Sequence, residues 1–115
     1  QIEPDAVVEA SLKMIGEGVT AIVCAADHQA YHLVRELKKR GVRVPRDVSV
    51  TGFDGETPPK GLPQLTTIRT PFRDIGVSSV VSMLRRVSHP SAPRRHILVS
   101  GRFIEGATTG KPPQK

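Results

Sequence analysis

Apolar and polar positions along the chain alternate between a helical and an extended pattern. Ala6, Val7, Ala10, Met14 and Ile15 recur near the helical period of about 3.6 residues. With Pro4 suited to a first turn, they predict a helix from Pro4 to Gly16, stopped by Gly16-Glu17-Gly18. Thr20 to Ala26 is a continuous apolar run, the pattern of a strand buried on both faces of a parallel sheet. Asp27 then suits the N-cap of a helix from His28 to Arg40, with Ala30, Leu33, Val34 and Leu37 as its buried stripe. Gly41 ends that helix, and Pro45 closes off what precedes the next strand. Val48, Val50 and Thr51 favour a packed, pleated conformation. Gly52 loosens the backbone where this strand runs out, leaving Phe53 and Asp54 at its carboxyl end.

Helix, strand, helix, strand in that order implies right-handed crossovers and a parallel sheet flanked by helices, an α/β fold. Small ligands bind such sheets at the carboxyl ends of their strands. Gly55 to Pro63 is a loop, and Leu65 to Arg69 a short β-prone run leading away from it. Thr70 is placed to cap a helix with Pro71 in its first position. That helix runs to about Val87, with Phe72, Val80, Met83, Leu84 and Val87 on one face. Ser88 to Pro93 breaks it. Arg95–Val99 and Arg102–Ala107 are two further β-prone runs, and the tail at 111–115 is expected to be disordered.

At 115 residues the chain is one domain or part of one. Aromatic residues make up 3% and Trp is absent, which supplies a base-stacking platform poorly. The net charge of +6 invites a nucleic-acid reading, but the basic residues are dispersed. Two of their groups, Lys38-Lys39-Arg40 and Arg85-Arg86, fall at helix ends, where cations complement the helix dipole. One Cys excludes an internal disulfide. No apolar run reaches the roughly 18 residues of a membrane span. Gln1-Ile2-Glu3-Pro4-Asp5 is not a secretory signal, and the sequence reads as beginning inside a larger protein.

Chemistry-bearing motifs are few. Gly16 to Ala21 superficially matches a dinucleotide fingerprint, but it follows a helix and precedes a strand, the reverse of the required context. Cys24 sits in an apolar run and reads as a structural thiol. The His residues form no metal-ligand spacing, and no Ser sits in a nucleophile elbow. The sequence therefore gives no residue set for an enzyme, a metal or a cofactor.

Four stretches together resemble the lactose- and purine-repressor family of bacterial transcription regulators. They are Thr20-Ala21-Ile22-Val23-Cys24-Ala25-Ala26-Asp27, the run from Gly41 through Val44-Pro45-Arg46-Asp47-Val48-Ser49-Val50-Thr51-Gly52-Phe53-Asp54, then Pro63-Gln64-Leu65-Thr66-Thr67-Ile68, and Ile75-Gly76 on a helix. The close, Phe103-Ile104-Glu105-Gly106-Ala107-Thr108-Thr109-Gly110, is similar too. The resemblance implies a periplasmic-binding-protein-like effector domain of two lobes with a ligand cleft between them. On that reading residues 1–69 belong to the C-terminal lobe, 70–98 form a crossover helix and strand of the other lobe, and 99–110 return as a strand. It implies a cytoplasmic homodimer that senses a small sugar or nucleobase-like effector. Operator DNA would be bound through a helix-turn-helix outside this sequence. A lobe of a periplasmic sugar-transport protein, which shares the fold, is the alternative.

The resemblance also implies site residues. Asp54 of the Gly-aromatic-Asp motif would accept hydrogen bonds from the effector; a turn-forming Asp is the plainer reading. Phe53, Asp27 and His28 would join it, although Asp27 also fits a capping role. Ala26 stands where the family usually has Asn, so the effector is unusual, or His28 or Gln29 compensates, or the response is weakened. Tyr31, His32, Val34 and Arg35 would face a dimer partner; a half-exposed helix surface is the alternative for Tyr31 and His32.

Overall fold

A computed structural model describes residues 4–113 of the chain. The chain divides into two compact units, one of Gln1–Arg69 with Phe103–Lys115 and the other of Thr70–Arg102.

In the first unit, helix α1 (Pro4–Gly16) precedes strand β1 (Ala21–Val23), helix α2 (Asp27–Lys39) and strand β2 (Ser49–Thr51). β1 and β2 are parallel, pairing Ala21 with Ser49, Ile22 with Val50 and Val23 with Thr51. The predicted alternation of elements and the parallel pairing are thus present. α2 ends as its sequence requires. Gly41, at φ +79°, lets its own N–H reach the Lys38 carbonyl and the Val42 N–H reach that of Leu37. A side chain would resist that left-handed turn.

The core lies between the helices and β2: Val8, Ala30, Tyr31, Leu33, Val34, Leu37, Val48, Val50 and Leu65 are all buried. The expected stripe of α2 is present in full. The continuous apolar run from Thr20 is not buried on both faces, however. β1 covers only its middle, and Val23 is 82% exposed. Its one partner strand among the described residues is β2, so one edge of the run has no strand partner there.

β2 gains its other neighbour from the chain's later segments. Thr51 bridges to Thr66 just before strand β3 (Thr67–Arg69), and Asp54 bridges to Arg69 at its end. Val50 is met on this edge by Thr108, whose carbonyl accepts the Val50 N–H at 2.8 Å and whose hydroxyl donates to the Val50 carbonyl at 2.7 Å. Strand β4 (Arg102–Ile104) lies beside β3 in a second two-stranded sheet.

In the second unit, helix α3 (Phe72–Ser88) begins one residue later than predicted. Pro71 occupies the N-cap, and the Phe72 N–H turns back to the Thr70 carbonyl. None of its residues is buried; Phe72, Val80, Met83, Leu84 and Val87 are all exposed. The run Arg95–Val99 is not a strand, because no backbone partner meets it among the described residues. The return strand is likewise shorter than expected, ending at Ile104. Lys111–Pro113 have no helix or strand, and the rest of the tail expected to be disordered, 114–115, lies outside the described residues.

Candidate functional site

The carboxyl ends of β1 and β2 gather the residues that the sequence singles out. β1 leads through Cys24 and Ala26 into Asp27 at the start of α2, and β2 leads through Gly52 and Phe53 to Asp54. The two exits are sewn together: the Cys24 N–H donates to the Thr51 carbonyl at 2.9 Å, and the Asp27 N–H to the Phe53 carbonyl at 2.8 Å.

Asp54 is half-buried at this edge. Its backbone sits at φ +120°, which side-chain-bearing residues avoid and which surrounding contacts must enforce. The Asp54 N–H donates to the Ile68 carbonyl at 2.9 Å. Its carboxylate makes no ion pair with a described residue. Phe53, 45% exposed, stands beside it. His28 is exposed on the first turn of α2, and Ala26, half-buried, offers only its backbone.

Asp27 departs from both roles expected of it. The N-cap of α2 is Ala26, in extended geometry, and no side chain caps the helix. Asp27 is instead the first helical residue and is fully buried, so its carboxylate is turned inward from the ligand edge. Its Oδ1 accepts the Thr67 hydroxyl at 2.7 Å, and its Oδ2 accepts the Glu56 N–H at 2.7 Å. Gly52 lies so close that a Cβ there would stand 2.1 Å from Oδ1. Thr67 and Gly52 therefore belong to this site, although the sequence reads Gly52 only as the loosened end of a strand and Thr67 only as part of a β-prone run. The signal for Thr67 was present in the Leu-Thr-Thr-Ile run, where two hydroxyls interrupt an otherwise apolar strand.

The proposed dimer surface is also corrected. Tyr31 and Val34 are 3% and 4% exposed and belong to the unit's own core. The helical period turns them toward β2 and away from solvent. His32 is half-buried and Arg35 exposed, so these two remain on the accessible side of α2. Burial pushes the Tyr31 phenol above its ordinary pKa, and does the same to the half-buried Cys24 thiol. Among the described residues, no three His, Cys, Asp or Glu side chains group as metal ligands. No helix there is long and apolar enough to cross a membrane.

Residues 2–109 match the family of periplasmic binding protein-like domains. The HTH-type transcriptional regulator MalR of Streptomyces coelicolor is 33% identical over 109 residues, which cover 92% of this chain and 31% of that protein. The crystal structure of the lac repressor dimer bound to operator and the anti-inducer ONPF superposes with a TM-score of 0.73 at 31% identity, over 89% of this chain and 36% of that one. A LacI family regulator from Arthrobacter sp. FB24, in complex with lactose, gives 0.75 at 25% identity, over 96% of this chain and 43% of the other. The chain thus spans less than half the length of each of these proteins.

Proposed function

The chain belongs to the LacI family of transcriptional regulators and matches its periplasmic-binding-protein-like domain, and from that premise we propose that it is the ligand-sensing portion of a bacterial regulator, drawn from the C-terminal part of the effector domain. The effector is a small polyol, a sugar being favoured by the lactose bound to one structural neighbour. A nucleobase-like effector is the lesser member of the same proposal.

One observation carries this reading. At the carboxyl edge of a parallel sheet, the chain holds Asp54 in a strained backbone, with its carboxylate in no ion pair among the described residues and the exposed Phe53 next to it in sequence. A carboxylate accepts hydrogen bonds from two hydroxyls at once, and an aromatic neighbour supplies apolar contact. The strain has a use if it aims that carboxylate. Asp54 and Phe53 are the contacts proposed, with His28 beside them. Asp27 supports the edge from beneath.

The role is sensing and not catalysis, in line with relatives named as regulators rather than enzymes or transport proteins. The complete protein would act in the cytoplasm as a homodimer, as the lac repressor does on operator DNA. Contact with DNA would lie in another part of the protein. Of the four α2 residues expected at a dimer surface, His32 and Arg35 are the two that lie outside the unit's own core.

The test is calorimetric titration of the full-length protein with ribose, glucose, lactose and cellobiose, comparing wild type with Asp54→Ala. Loss of at least about tenfold in affinity is expected for a contact of this kind. Equal binding by the two proteins would remove Asp54 from the site.

A further inference from the structure

Asp27 is a buried carboxylate that the sensing role leaves without a direct part. Its contacts converge on one place. The Asp27 N–H holds the carbonyl of Phe53, immediately before Asp54. Its Oδ2 holds the N–H of Glu56, two residues after Asp54. Its Oδ1 holds Thr67, and the next residue, Ile68, supplies the carbonyl that takes the Asp54 N–H. Gly52 admits this arrangement, since any side chain there would occupy the space of Oδ1. Asp54 is therefore bracketed on both sides in sequence, and its strand partner is fixed, by a single residue: its backbone amide holds Phe53, and its carboxylate holds Glu56 and Thr67.

We propose that Asp27 is the positioning residue for Asp54: it clamps Phe53, Glu56 and Thr67 so that the Asp54 backbone stays at its positive φ and its carboxylate stays aimed at the effector. The inference rests on the sensing reading for its ligand but not for its geometry. A residue left in a sparsely populated conformation relaxes unless its surroundings over-determine it. The clamp supplies that constraint. Both carboxylate oxygens are engaged, so Asp27 acts through Asp54 without touching the effector.

The role predicts a specific pattern of substitutions in the full-length protein. Asp27→Ala removes both acceptors and weakens sugar binding at least about tenfold. Asp27→Asn rescues most of it, because the amide oxygen can face the Glu56 N–H while the Thr67 hydroxyl turns to accept from the amide. Thr67→Val, a milder lesion, falls between them and replaces Asp27→Ala should that variant not fold. The double variant Asp27→Ala/Asp54→Ala binds within about threefold of Asp54→Ala alone, since residues acting through one another are not additive.

Hydrogen exchange read at the Asp54 and Glu56 amides gives a measure that needs no ligand. Both amides exchange faster in Asp27→Ala or Thr67→Val while the interior of α2 stays protected. Unchanged exchange at these amides would overturn the proposal, as would losses from Asp27→Ala and Asp54→Ala that add in full. If no sugar binds wild type, or Asp54→Ala binds as wild type does, the sensing reading fails; exchange at the two amides then decides the positioning role by itself.

Discussion

Replacing Thr108 with valine keeps the shape of the side chain and deletes one hydroxyl. That hydroxyl lies at the centre of the first unit, fully buried. It donates to the Val50 carbonyl at 2.7 Å and accepts the Thr66 N–H at 3.0 Å. β1 pairs with β2 on the opposite edge, so Val50 turns both its polar groups toward Thr108. In Thr108→Val the Val50 carbonyl and the Thr66 N–H lose these partners in a place water does not reach. A buried group stranded in this way costs about 1–3 kcal/mol, which gives about 2–6 kcal/mol for the pair. That is a large share of the roughly 5–15 kcal/mol by which a domain is stable.

Thr108→Ser is the control, because it keeps the hydroxyl and gives up one methyl group at about 1 kcal/mol. Urea unfolding followed by circular dichroism separates the two. The valine variant should unfold at a midpoint about 1–3 M lower than wild type with an unchanged slope, and the serine variant should stay close to wild type. A valine variant as stable as the serine one, within about 0.5 kcal/mol, would refute the claim that this hydroxyl closes the edge of β2.

Two further outcomes follow from the same structure. Gly52→Ala would place a methyl 2.1 Å from Asp27 Oδ1 and 3.1 Å from its Cα. The start of α2 would have to shift, with a loss of about 2–3 kcal/mol in thermal unfolding; an unchanged melting temperature would contradict the packing described. Asp47 is held at a pKa of about 2, below its ordinary value of 3.8, chiefly by the Arg43 side chain, which bonds both its oxygens. A depressed carboxyl pKa adds stability above the unfolded-state value, and that stability is lost as pH falls through the folded one. The gap in melting temperature between wild type and Asp47→Asn should therefore be constant above about pH 5 and narrow from there to about pH 1, below both pKa values. A gap undiminished at about pH 1 would exclude the pairing as its cause.

The sequence by itself determined the order of helices and strands as far as α3, the face of α2 that is buried, the stop at Gly41 and the presentation of Asp54 at a strand end. Those features depend on periodicity, turn residues and β-branching, which act over a few neighbouring positions. Tertiary structure decided where the polar groups go. Asp27 looks like a cap by its local setting, yet its carboxylate meets Thr67, 40 positions away. Thr108 lies just past the β-prone run Arg102–Ala107 with no local sign of a partner, yet its hydroxyl meets Val50 at a separation of 58. Tyr31 carries a hydroxyl and reads as a surface residue, but the turn of the helix carries it into the core. A buried hydrogen-bonding group takes whatever partner the fold brings to it, and that partner is set by the closure of the whole unit, not by adjacent residues. The same closure leaves Val23 of β1 exposed, although its apolar run reads as buried on both faces.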